Sequence, residues 1–246
     1  MDESSKSLDV HAFELHNHLD PHHRASNLSD IILGGQDGLV NVLGVILGVA
    51  AATSDPRIVI AAGMAATFAE SVSMGAVAYT STQADHALYE SELAREHRHV
   101  RLVPALERDE IREIYSKKGF EGALLDQVVD TITANKDVWV AVMMAEELKL
   151  APVAKFGAVR SALIVGAAAI VGSLIPMAPF FLLPIAIAIW ASILIAGLAL
   201  FIVGAYKARL TVGRWSRSGI EMAVIGIVSA LVGYAVGLLF QVPAVP

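Results

Sequence analysis

Residues 58–79, IVIAAGMAATFAESVSMGAVAY, form an apolar run with a single acid, Glu70, near its centre. At 1.5 Å per residue a helix of this length crosses the hydrocarbon core of a bilayer. A carboxylate held at that depth costs several kcal/mol unless it is protonated, paired or bound to a cation. The stretch therefore predicts a membrane helix whose acid has a task, and the rest of the chain has to supply its partner.

Composition agrees with a membrane setting. The 246 residues are 55% hydrophobic and only 17% charged, with mean hydropathy +0.60, whereas soluble domains carry about 25% charge. Cysteine is absent, which excludes disulfides, thiolate metal sites and cysteine nucleophiles. Apolar runs place five spans at Ile31–Ala52, Arg57–Thr80, Val159–Ile175, Phe180–Tyr206 and Gly219–Phe240. The third and fourth are one apolar block, divided here at Pro176 and Pro179 (SLIPMAPFF), with Pro184 in the first turns of the fourth. The expected fold is an all-α membrane protein of five transmembrane helices, with a cytoplasmic helical domain inserted between helices 2 and 3. Its parts are a tail (1–29), helices 1–2 (30–80), the inserted domain (81–158) and helices 3–5 (159–246).

With the N-terminus, segment 81–158 and the loop Lys207–Arg217 on one side, that side holds every Lys and Arg except Arg57. The positive-inside rule makes it the cytoplasm and leaves the C-terminal QVPAVP outside. Residues 1–29 are polar and lack an apolar h-region, so no cleavable signal peptide is expected. This stretch carries His11, His16, His18, His22 and His23 and reads as a solvated tail that could bind metal loosely.

In the first span Gly34 pairs with Gly38, and Gly44 with Gly48, at the small-xxx-small spacing that lets helices approach closely. Asp37 lies about two turns inside, with Asn41 one turn further on the same face. In the second span Glu70 and Met74 share a face, and Met beside an intramembrane carboxylate is a soft partner for a transition metal. Glu221 opens the fifth span, where a helix N-terminus already favours an anion.

Segment 81–158 intersperses charges of both signs over helical patterning. With no proline before Pro104, the second helix is expected to continue out of the membrane through residue 100. Along it Glu92, Glu96 and His99 form one stripe; Glu107, Glu110 and Glu113 form a second. Another helix offers Met143, Met144 and Glu147, beside Glu146, and a further one is expected around Glu121–Ala134. Each stripe alone is a solvated face that Arg95, Arg98, Arg108 and Arg112 could neutralise. Carboxylates on several helices of one small segment instead suggest a bundle that holds metal, as in ferritin-like proteins. The histidine and methionines move the preference from Ca²⁺ or Mg²⁺ toward a first-row transition ion.

The blocks DIILGGQDGLV, AESVSMGA, REHRHV, LERDEIREIYSKKGF and MMAEEL, with the proline pair, resemble the vacuolar iron transporter family from about Ser29 onward. The resemblance implies a homodimer of five-helix subunits that exports Fe²⁺ or Mn²⁺ from the cytosol by proton antiport, with the ion path between protomers. It places Asp37 and Met74 in the membrane site with Glu70 on the same path. It also makes Glu96, Glu107, Glu110, Met143, Met144 and Glu147 cytoplasmic ligands. His99 departs from the pattern, which leads one to expect a glutamate there, and Zn²⁺ becomes a further candidate ion. The glycine-rich first span reads as compatible with the dimer face. The expected membrane is a bacterial inner membrane or, in a eukaryote, that of a vacuole.

Two other classes compete. A membrane-tethered, ferritin-like iron oxidase calls for a Glu-x-x-His motif on each of two helices, whereas this chain has one, Glu96–His99, and such an oxidase has no use for Asp37, Glu70 and Met74. A metal sensor or buffer needs no membrane carboxylates either. The basic residues alternate with acids, so no nucleic-acid surface is expected.

Overall fold

The computed structural model describes residues 24–53, 55–152, 157–210 and 213–240, and regular structure among them is helical. In chain order the helices are α1 (Arg24–Ala52), α2 (Pro56–Leu102), α3 (Pro104–Lys117), α4 (Gly122–Thr133) and α5 (Lys136–Val142). A π-helical turn, Met143–Glu147, follows, and then α6 (Gly157–Leu182), α7 (Ile185–Leu210) and α8 (Trp215–Leu239). Five of these, α1, α2, α6, α7 and α8, are long and apolar enough to cross a membrane. Their outward side chains are apolar, with Leu194 and Trp190 each 73% exposed, a pattern that suits lipid and not water. The chain is an integral membrane protein.

Two compact units divide it: residues up to Ala78 with those from Arg160 onward, and Tyr79–Val159. The core of the first is built around α1, whose Leu39, Val42, Leu43, Ile46 and Leu47 are buried against Met177, Phe180, Leu200 and Met222. Close crossings make this possible. Side chains added at Gly34 and Gly38 would overlap the α6 backbone at Val165 and Ala169. On α8, Gly233 and Gly237 lie against the backbone of Gly44 and Gly48. The small residues of α1 are thus taken up inside the chain, and the glycine-rich span gives no argument for a dimer face. α2 joins α6 through Ser71, whose hydroxyl donates to the Gly166 carbonyl at 2.9 Å. Thr67 donates to its own Gly63 carbonyl at 2.8 Å, with the Met177 sulfur 3.5 Å away.

Two expectations need correction. The first helix starts at Arg24, not Ile31, so it takes in the end of the stretch read as a tail. Polarity ends a membrane span but not a helix, because the backbone ladder continues to be satisfied in water. The histidine tract and the C-terminal QVPAVP lie outside the described residues. Second, Pro176 and Pro179 do not end a helix; α6 runs through both to Leu182. Each proline removes one donor, yet the ladder resumes, with Leu183 N donating to the Pro179 carbonyl at 2.9 Å. The Ser192 hydroxyl of α7 also donates to the Pro176 carbonyl. This bond ties α7 to the proline stretch but does not replace the donors that Pro176 and Pro179 remove, which would have faced the Gly172 and Ile175 carbonyls. The chain turns at Leu183–Pro184 instead, where the Pro184 carbonyl accepts from Ile187 and Ala188.

The second unit packs the outer part of α2, α3, α4 and α5 around Val100, Ile111, Val129, Trp139, Val140, Met143 and Met144. α3 ends in a Schellman motif: Gly119 takes φ +94°, and the Gly119 and Phe120 amides donate to Ser116 and Tyr115. Tyr115 and Phe120 close it edge to face at 5.7 Å. Asn135 caps α5 by accepting from the Asp137 and Val138 amides at 2.9 and 3.4 Å. Arg108 and Arg112 do not neutralise the glutamate stripe; they reach across to Asp130 and Asp126 of α4.

Two substitutions test these contacts. Gly172→Ala places a methyl on the Gly35 backbone and should cost about 1–3 kcal/mol, seen as a lower thermal midpoint in detergent. At Gly119 a methyl meets nothing within 4 Å, so Gly119→Ala should cost only the backbone strain, about 1 kcal/mol. An unchanged midpoint contradicts the close approach at Gly172 or the left-handed backbone at Gly119, respectively.

Candidate functional site

Among the described residues two groups of candidate ligands come together, one in each unit. In the first unit the Glu70 side chain meets those of Asp37 and Asn41 within hydrogen-bonding reach. The α1 crossings fix this geometry, because Gly34 and Gly38 lock the stretch of α1 that carries Asp37 against α6. Ser71, next to Glu70, ties the facing stretch of α2 to the same helix. Met74 lies one turn beyond Glu70 on α2 and is half-buried. Two acids and an amide sharing one place in the membrane need a cation or a proton between them.

In the second unit Glu96, His99 and Glu107 each offer a ligand atom, and these atoms lie within 4.8 Å of one another. α2 supplies Glu96 and His99 one turn apart. Val103, with φ −133° and ψ 50°, breaks the helix, and Pro104 at the first position of α3 restarts it. That reversal brings Glu107 to the end of α2. His99 Nδ1 is 3.2 Å from Glu107 Oε1, and Arg95 Nε is 3.9 Å from Glu96. Both carboxylates are almost fully buried, at 3% and 2% exposure, and the Oε2 atom of each has no hydrogen-bond partner among the described residues.

Burial pushes the Glu107 carboxyl up to about 7, reinforced by the charges of Glu110, Glu96 and Glu147 and opposed by His99. Glu147 is likewise raised, by partial burial of its carboxyl and then by Glu110, with Arg95 and His99 opposing. These neighbours show that Glu110, on α3, and Glu147, on the π turn, belong to the same electrostatic cluster. The π turn, unseen in the sequence, lets Met143 and Met144 both point into the core, at 0% and 2% exposure, while Glu147 stays at its edge. Glu92 pairs with Arg95 at 2.5 Å at the margin. Glu113 is exposed and held by Lys117 at 2.6 Å, and its carboxyl is lowered by that hydrogen bond and charge. Glu146 turns to Lys118 at 2.5 Å. The third-residue spacing that joined Glu113 to Glu107 and Glu110 rotates it steadily away from the cluster, since a helix turns 100° per residue.

The fold and these sites define a polytopic helical membrane protein with acids converging both between its spans and in an inserted bundle. The chain belongs to the VIT family, which residues 28–238 match. It is similar to vacuolar iron transporter 1 of Tulipa gesneriana, 32% identical over 229 residues covering 92% of this chain and 93% of that protein. The protein of that name from Arabidopsis thaliana is also 32% identical, covering 92% of each. A vacuolar iron transporter of Toxoplasma gondii is 28% identical over 97% of this chain and 83% of its own.

The raised carboxyl makes a prediction with a definite sign. The folded state keeps its proton on Glu107 up to about pH 7, whereas an ordinary carboxyl at 4.5 has lost it. Between those values the folded state binds more protons, so the metal-free second unit loses stability as pH rises from about 4.5 to 7 and levels off above. The loss is on the order of 2–3 kcal/mol. Urea unfolding followed by Trp139 fluorescence, with Trp190 and Trp215 replaced by Phe, should show it. Glu107→Gln should flatten most of the slope.

Proposed function

We propose that this chain transports ferrous iron, or manganese, out of the cytosol in exchange for protons. The observation that carries the reading is the meeting of Asp37, Asn41 and Glu70 inside the membrane unit, in a chain whose relatives are named as vacuolar iron transporters. In this reading Asp37, Asn41, Glu70 and Met74 line the path, and the two acids carry either protons or the ion. Binding of a divalent cation displaces protons, and reprotonation from the acidic side expels the cation. Such exchange gives both acids a reason to stand in hydrocarbon.

The second unit is proposed as a cytoplasmic capture domain, with Glu96, His99 and Glu107 at its centre and Glu92, Glu110, Met143, Met144 and Glu147 around them. The Lys and Arg residues concentrated in it support the reading of its side as the cytoplasm. The N-terminus lies on that side and the C-terminus opposite it. The working form is proposed to be a homodimer, by analogy with the family, in a vacuolar membrane or its bacterial counterpart.

Purified protein in liposomes with an acidic lumen should accumulate Fe²⁺ only while the pH gradient lasts. Asp37→Ala and Glu70→Ala should each reduce the initial rate by at least about tenfold, the scale of lost metal ligation or its support. Glu113→Ala, remote from both clusters, should leave it unchanged. Gradient-independent uptake, or full transport by Glu70→Ala, would overturn the antiport path.

A further inference from the structure

The second unit's cluster says more about which ion it takes. Its donors are mixed: Glu96 and Glu107 bring carboxylate oxygens and His99 brings an imidazole nitrogen, all within 4.8 Å. Each carboxylate already has a cationic or polar neighbour at one oxygen, Arg95 near Glu96 and His99 Nδ1 beside Glu107 Oε1. The second oxygen of each is buried and has no hydrogen-bond partner among the described residues. Two carboxylate oxygens buried without partners, beside an imidazole, point to a cation as the ligand.

We infer that His99 makes this cluster selective for ions that favour nitrogen, Fe²⁺, Co²⁺ and Zn²⁺, over Mn²⁺, Mg²⁺ and Ca²⁺. The inference rests on reading this unit as the place of capture, and it narrows the cargo from Fe²⁺ or Mn²⁺ toward Fe²⁺. Three features carry it. First, imidazole binding strengthens along the series from Mn²⁺ through Fe²⁺ and Co²⁺, while carboxylate and water suit Mg²⁺, Ca²⁺ and Mn²⁺. Second, hard ions are held mainly by charge and by many oxygens, about six to eight for Ca²⁺. Here an imidazole stands beside the two central acids, and the Arg95 guanidinium offsets part of the charge of Glu92 and Glu96. Third, the 3.2 Å between His99 Nδ1 and Glu107 Oε1 approximates the separation of two adjacent donors at about 2.0–2.2 Å from one small ion.

The packing fixes part of the site. Val100, immediately after His99, is buried in the same core as Ile111, Met143 and Met144. That core fixes the buried Glu96 and Glu107 carboxylates, while His99, with 42% of its side chain exposed, stands on the open side of the cluster.

The test is equilibrium binding of Zn²⁺ and Mn²⁺ to the full chain in detergent at about pH 8, where imidazole is neutral. Only the component of binding removed by Glu107→Gln is compared, so the membrane acids and N-terminal histidines drop out. His99→Glu should lower the ratio of Zn²⁺ to Mn²⁺ affinity by about tenfold or more, with Mn²⁺ binding retained or strengthened. If Trp139 emission shows that His99→Glu disturbs the bundle, His99→Asn replaces it and must lower the ratio as well. An unchanged ratio, with a Glu107-dependent component still present, overturns the role of His99 and leaves capture standing. Absence of any Glu107-dependent component sinks capture and selectivity together.

Discussion

Backbone-to-backbone contact along α1 is the constraint on which the membrane unit depends. Lipid tails are as apolar as leucine side chains, so helices in a bilayer gain little by hiding hydrophobic surface from solvent. They gain by approaching closely enough for many weak dispersion contacts to add up. α1 achieves this twice, with Gly34 and Gly38 against α6 and with Gly44 and Gly48 against α8. Asp37 lies within the first crossing and Asn41 between the two, and their position opposite Glu70 follows from helices that cannot slide past one another. Hydroxyls finish the arrangement. Ser71 and Ser192 each donate a hydrogen bond to a carbonyl of α6, tying α2 and α7 to it.

The second unit rests on a different balance. Its core of Val100, Ile111, Val129 and Trp139 is large enough to hold four short helical segments together, and it draws two carboxylates in with it. Burying Glu96 and Glu107 opposes folding, and the rise of the Glu107 carboxyl toward neutrality measures that opposition. A bound cation relieves it and a proton relieves it in part, so the same strain that weakens the empty bundle favours loading. The ion pairs of Arg108 and Arg112 with α4 support the bundle from outside. They leave Arg95 as the guanidinium beside Glu92 and Glu96.

Much of this was open to reading along the chain. Apolar runs located the five spans, and the lack of proline before Pro104 predicted that α2 continues past its span through residue 100, against an observed end at Leu102. The spacing of Glu96 and His99 placed them on one helical face, and the two acids in apolar surroundings stood out by their cost. Other readings failed for reasons of context. Pro176 and Pro179 looked like a turn because a proline breaks a helix in water, whereas α6 runs through both and its ladder resumes beyond them. The spacing that grouped Glu107, Glu110 and Glu113 did not distinguish the buried member from the one held out by Lys117. Nothing in the residues 143–147 announced a π turn, because that geometry is imposed by packing both Met143 and Met144 inward.

The sequence by itself determined the class of the protein. Hydrophobic length and charge placement are local properties, and they settle that the chain enters a membrane and that a charged helical segment interrupts its spans. It also determined which residue types were available as ligands. Only the tertiary structure decided which of them meet. Asp37 and Glu70 are 33 residues apart in the chain, and Glu96 and Glu107 are separated by the Val103–Pro104 break. Whether such residues become neighbours depends on where helices cross and how the chain reverses. Those are set by contacts among distant glycines, hydroxyls and core side chains, which no local pattern records.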